Sequence, residues 1–247
     1  MSDFVRFSEH LIQDGFTYSY AVSAADLTGS GSQDLVVCDT NVGLYWFEND
    51  GSGNFTRHVI RSRVGEWLER HVIADIDGDG KLEIVCVDNI NGCLVYFRCD
   101  GDPRETSSWS HGYVSEGGLP GAYDLTIADL DGDGDLDVLS ASYGDDTIAW
   151  YENDGSGTFT GHTISTAADG ARSVFAADVD GDGDLDVLSA SKHDDKIAWY
   201  ENDGSENFTT HEISTAANDA RSVFAADVDG DGDLDVLSAS INDDTIA

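Results

Sequence analysis

The chain has 247 residues, 40% hydrophobic and 10% aromatic, with 12 Lys and Arg against 49 Asp and Glu and a formal net charge of -37. That apolar content supports a substantial core and argues against disorder, while the shortage of basic side chains excludes nucleic acid and anionic lipid, whose binding depends on phosphate neutralisation. No apolar run approaches the ~20 residues of a membrane helix, so membrane insertion is not expected, and the opening MSDFVRFSEHLIQDG lacks the apolar centre of a signal peptide.

In chain order, the first element is predicted over residues 3–13, where FSEHLI at Phe7 to Ile12 matches FTRHVI at Phe55 to Ile60. FTRHVI ends a repeating unit, so the chain is expected to open with an outermost strand. The units follow. YAVSAADLTGSGSQDLVVCD starts at Tyr20, ERHVIADIDGDGKLEIVCVD at Glu69, AYDLTIADLDGDGDLDVLSAS at Ala122, and ARSVFAADVDGDGDLDVLSAS at both Ala171 and Ala220. The first loop aspartates, Asp26, Asp75, Asp129, Asp178 and Asp227, are spaced by 49, 54, 49 and 49 residues, and the five extra residues fall in GDPRETSSWSHGYVSEGGLPG.

Each unit reads as four strands. SVFAADV and LDVLSAS flank the Asp/Gly loop, and TIAWYEN and FTGHTIS follow on either side of DGSG, all short and rich in β-branched, small or aromatic residues. Four antiparallel strands repeated every ~40 to 50 residues is the signature of a propeller blade, whose twisted sheet must stack on its neighbours to cover its faces. The expected fold is therefore all-β: one β-propeller of about five four-stranded antiparallel blades, spanning 18–62, 67–116, 121–166, 170–215 and, in part, 219–247. The last unit stops inside its third strand. Residues 3–13 are expected to supply its fourth, closing the ring weakly; the other readings are a fragment of a longer array, or completion by another chain that makes a homo-oligomer. The small Ala176, Ala177, Ala225 and Ala226 suit the inner ring, and Trp150, Tyr151, Trp199 and Tyr200 suit packing between blades.

The Asp/Gly loop suits a hard cation. Carboxylates at alternate positions match the start of an EF-hand, but Ser189 stands where its bidentate Glu belongs and a strand replaces its second helix. What remains is a nine-residue loop with acids at its first, third, fifth and ninth positions and the seventh residue as a further ligand through its carbonyl. The candidate metal residues are Asp75, Asp77, Asp79, Lys81 and Glu83; Asp129, Asp131, Asp133, Asp135 and Asp137; Asp178, Asp180, Asp182, Asp184 and Asp186; and Asp227, Asp229, Asp231, Asp233 and Asp235. A solvated Asp/Gly turn is the plain alternative. Like charges this close repel unless a cation sits among them, so about four Ca²⁺ sites are expected. In the Asp26 loop Thr28 and Ser30 replace two acids, and that loop is expected to be empty or weak.

These loops, the AWYENDGSGTFT linker and the period near 49 residues resemble FG-GAP/VCBS repeats, the calcium-loop propeller repeats of integrin alpha chains and of many extracellular bacterial and fungal proteins. The resemblance implies that the loop acids are the calcium ligands. Relatives usually have seven blades, from which five copies depart, and such repeats also occur in lectins and in some polysaccharide lyases. The repeat does not by itself choose a function.

A ligand is expected on the face opposite the calcium loops, where the entries to the first strands meet the second turns. Entry positions six residues before the first loop Asp are Tyr20, Glu69, Tyr123, Arg172 and Arg221, with Arg70 and His71 beside them, and the second turns add Tyr143, Lys192 and His193. Tyrosines stack on sugars, and arginines can grip a carboxylate or sulfate. The other reading is that each Arg pairs with acids of its own surface. The favoured function is a binding or scaffold module for carbohydrate or protein; the alternative is a carbohydrate-active enzyme such as a polysaccharide lyase, with His71 as base. No nucleophile motif, P-loop or dinucleotide fingerprint is present. The recurring His58, His162 and His211, with His10, occupy an outer-strand position suited to a cross-strand role. The four cysteines lack zinc spacing, and Cys38 and Cys86 read as buried free thiols. Calcium loops of modest affinity fill best outside cells, which points to an extracellular or periplasmic setting although no leader is visible.

Overall fold

The computed structural model describes residues 8–62 and 65–247. Five antiparallel sheets follow one another along the chain. The first contains β1 (Ser19–Ala25), β2 (Asp34–Asp39), β3 (Gly43–Asn49) and β4 (Phe55–Ser62), and the second β5 (Leu68–Ala74), β6 (Glu83–Asp88), β7 (Cys93–Cys99) and β8 (Trp109–Ser115). The third has β9 (Ala122–Ala128), β10 (Asp137–Ser142), β11 (Thr147–Asn153) and β12 (Phe159–Ser165), and the fourth β13 (Ala171–Ala177), β14 (Asp186–Ser191), β15 (Lys196–Asn202) and β16 (Phe208–Ser214). The fifth holds three strands, β17 (Ala220–Ala226), β18 (Asp235–Ser240) and β19 (Thr245–Ile246). Within each sheet, strands pair in sequence order through tight turns, as short connections require.

The hydrophobic cores lie between sheets rather than within them. Val36, Trp46, Ile84 and Phe97 join the first two sheets; Val85, Leu94, Val138 and Tyr151 join the second and third; Leu139, Trp150, Val187 and Tyr200 join the third and fourth; and Leu188, Ile197, Val223 and Ala225 join the fourth and fifth. Successive residues of a strand face opposite ways, so Tyr151 packs back on the second sheet while its neighbour Trp150 packs forward on the fourth. This explains why EIVCVD in β6 is buried along its whole length instead of alternating. Each such side chain contributes about 1.5–3 kcal/mol by leaving water. The first strands pack in the order β1, β5, β9, β13, β17, with small residues such as Ala176 and Ala177 between them.

The fourth strand expected from residues 3–13 does not form among the described residues. Residues 8–13 carry no strand, residues 3–7 lie outside the described part, and the fifth sheet ends at β19. β19 is two residues long, and Phe16 packs on the first sheet, edge-on to Tyr45 and Phe47 with ring centroids 6.2 Å apart in both pairs. The five-residue insertion caps the junction of the first two sheets. There the Pro103 carbonyl accepts hydrogen bonds from the indole N–H groups of Trp46 (3.0 Å) and Trp109 (2.9 Å).

Candidate metal centres and the opposite mouth

Each Asp/Gly loop links a first strand to a second strand, and its tight winding needs left-handed backbone, supplied in the third sheet by Gly132 (φ 76°) and Gly134 (φ 100°). The winding turns the first, third and ninth side chains inward. Four groups result, in each of which the three carboxylates bring ligand oxygens within 4.8 Å of one another: Asp75, Asp77 and Glu83; Asp129, Asp131 and Asp137; Asp178, Asp180 and Asp186; and Asp227, Asp229 and Asp235. The fifth-position acids stand outside these groups. Asp79, Asp133, Asp182 and Asp231 each accept the backbone N–H two residues on, at 2.8–3.0 Å.

The ninth-position acid anchors the sheet as well as the loop. Asp137 accepts the Leu130 N–H (2.9 Å) through Oδ2 and the Asn153 N–H (2.9 Å) through Oδ1, and Asp186 repeats this with Val179 and Asn202. Burial pushes the Glu83 carboxyl up to about 7 and the Asp137 carboxyl up to about 6, with neighbouring loop carboxylates adding to the effect. Burial likewise raises Asp131 and Asp186. Three oxygens stay without a hydrogen-bond partner although buried: Asp75 Oδ1, Glu83 Oε1 and Asp129 Oδ1. Unpartnered, crowded carboxylate oxygens are costly unless a cation completes them, and an all-oxygen donor set of this density suits a hard divalent ion.

The Asp26 loop solves the same problem internally. Asp26 accepts N–H groups from Ser30 (2.9 Å) and Gly31 (2.6 Å) and the Thr28 hydroxyl (3.3 Å), and these bonds, that from Gly31 foremost, hold its carboxyl below the usual range. It belongs to none of the acidic groups among the described residues.

At the opposite mouth the entry residues meet around Tyr123. Its hydroxyl accepts a bond from Tyr20 (3.1 Å), and Arg70 and Arg172 lie over its ring at 5.0 and 4.1 Å from the centroid. Arg172 also lies 4.0 Å from the Tyr143 ring centroid, so its guanidinium is held between two aromatic faces. Arg70 pairs with Asp124 (3.0 Å) and Arg221 with Asp219 (2.7 Å). His71 is buried, with Nδ1 3.2 Å from the Cys38 sulfur and Nε2 without a partner. The turn residue His193 bridges Tyr143 (2.9 Å) and Asp169 (3.0 Å). The recurring histidines stack on tryptophans and pair with glutamates: His58 on Trp46 with Glu48, His162 on Trp150 with Glu152, and His211 on Trp199 with Glu201, at ring separations of 4.5–4.7 Å.

Successive four-stranded antiparallel sheets, stacked face to face with their first strands together, define an all-β, β-propeller-like class of protein. The model of the FG-GAP-like repeat matches residues 26–86, 129–189 and 178–238. These matches cover more than half of the chain, which therefore belongs to the FG-GAP-like repeat family. Among solved structures the chain is similar to an Agrocybe aegerita lectin described as specifically recognising non-reducing terminal N-acetylglucosamine, with 23% identity and a TM-score of 0.64, over 90% of this chain and 61% of that one. It is also similar to the V. cholerae biofilm matrix protein Bap1, with 18% identity and a TM-score of 0.54, over 84% of this chain and 30% of that one. The chain thus spans less than two thirds of either structure. A comparison with curated proteins gives no match. No helix among the described residues is long and apolar enough to cross a membrane.

Proposed function

We propose that this chain is a calcium-stabilised, propeller-like binding or scaffold module that takes a carbohydrate or protein ligand on the face opposite its metal loops. The observation that carries the calcium reading is the fourfold recurrence of three converging carboxylates, with buried oxygens of Asp75, Glu83 and Asp129 left without a hydrogen-bond partner. Ca²⁺ takes six to eight oxygen ligands; the first, third and ninth carboxylates would supply the protein charge, with the fifth side chain and seventh carbonyl completing the shell. Four such ions would leave a chain still near about -29, acidic enough to stay soluble. The similarity to a lectin and a biofilm matrix protein supports a binding role without fixing the ligand. Supply of the missing fourth strand of the last sheet, by residues of this chain or by a second copy, belongs to the same proposal.

Calcium titration of chelator-treated protein tests the metal reading. About four ions are expected per chain, with a melting temperature that rises as they bind, and Asp131→Asn should remove one ion while Asp26→Asn removes none. A melting point unmoved by calcium would sink the proposal.

A further inference from the structure

The first strands share an irregularity at one position. In β1 the pairing steps from Ser19↔Asp39 to Ala21↔Cys38, in β13 from Ala171↔Ser191 to Ser173↔Ala190, and in β17 from Ala220↔Ser240 to Ser222↔Ala239. The residues left over are Tyr20, Arg172 and Arg221. In β9 the same step leaves out Tyr123, and in β5 it leaves out Glu69 and Arg70. A bulge re-aims a side chain that regular pleating would bury against a neighbouring sheet. Five strands therefore spend a ladder position to turn these residues toward one mouth.

The charges there do not close among themselves. Arg70 is matched by Asp124 and Arg221 by Asp219, but Arg172 forms no ion pair among the described residues and its buried Nε has no hydrogen-bond partner. Glu69, buried on β5, lies in electrostatic reach of Arg70 and Arg172 without an ion pair to either among the described residues, and burial raises its carboxyl. In a chain with 49 acids, an arginine fixed between two tyrosine rings, with a carboxylate in electrostatic reach but none in an ion pair with it, has room for an oxyanion from outside. A planar guanidinium so held keeps its edge for bidentate contact with an oxyanion. Tyr20 and Arg70, which both touch Tyr123 beneath Arg172, also line an open cavity of about 450 Å³ together with His71 and Asp124.

We propose that this mouth is an oxyanion-sugar site: Arg172, clamped by Tyr123 and Tyr143, grips a carboxylate or sulfate carried on a pyranose, whose ring enters the cavity beside Tyr20 and Arg70. The inference rests on the binding-module reading and names its ligand class.

The test is calorimetric titration of the calcium-loaded protein with D-glucuronate, D-glucose 6-sulfate and D-glucose. At least one charged sugar should bind about tenfold or more tightly than glucose, weaken with added salt, and lose about tenfold in Arg172→Gln. Arg172→Lys, which keeps the charge but not the fork, should fall between, and unchanged melting in calcium shows that both variants fold. The carboxylate and sulfate arms separate the two sources of the anion. Equal binding of glucose and the charged sugars, no binding of either charged sugar, or full affinity in Arg172→Gln would each overturn the site. Those outcomes leave the calcium-dependent melting intact, whereas failure of the underlying module reading removes that melting response.

Discussion

Among single residues the loop carboxylates set the chemistry, and their titration gives a signed prediction. Glu83 and Asp137 have folded values near 7 and 6 against ordinary values of 4.5 and 3.8, so the calcium-free fold holds protons that the unfolded chain releases. A raised carboxyl contributes stability below its ordinary value and loses it as pH climbs through the folded value. Calcium-free protein should therefore melt at progressively lower temperature from about pH 4 to about pH 7, by calorimetry. If these carboxylates hold calcium as proposed, adding it should reverse the slope, since metal ligands must be ionised to bind. The acidic pattern was legible from letter spacing alone. The separation of the converging first, third and ninth acids from the fifth was not, because it depends on how the glycines wind the chain.

At the level of strands and sheets, asparagine does a job that no motif announced. Asn153 closes β11 and is 1% exposed; its Nδ2 donates to the Ile76 carbonyl in the second sheet's loop (2.7 Å) and to the Leu136 carbonyl in its own (2.9 Å). Asn202 repeats the bond across the next junction, to Leu130 (3.3 Å) and Leu185 (3.1 Å). Asn153→Ala should cost about 2 to 3 kcal/mol in urea unfolding, because two buried carbonyls lose their donor. It should also weaken calcium in the Asp75 loop, whose backbone it steadies. The EN that ends AWYEN was visible as a recurring pair, but its partner lies 77 residues away and only sheet stacking brings the two together.

For the whole molecule, net charge and stacking pull against each other. A formal charge of -37 penalises a compact state, and without calcium the penalty is concentrated in four loops on one face. Salt screens exposed charge within a Debye length of about 8 Å at physiological ionic strength. Raising sodium chloride from about 0.05 to about 0.5 M should lift the melting temperature clearly in chelator and much less in saturating calcium. The fifth loop, exposed at all three acids, should bind most weakly, because solvent screens its field.

The amino-acid sequence determined the repeat, four of the five sheets, the strand order and the acidic loops, because each rests on residues close together in the chain: turn glycines, alternating acids and short β-rich runs. The tertiary structure decided what depends on distant partners. Phe16 packs on Tyr45 and Phe47, and residues 8–13 form no strand on the last sheet. His71 sets its Nδ1 3.2 Å from the Cys38 sulfur across the first two sheets. The bulges in the inner strands, which no local pattern records, gather Tyr20, Arg70, Tyr123, Arg172 and Arg221 at one mouth and leave Arg172 without an ion pair among the described residues.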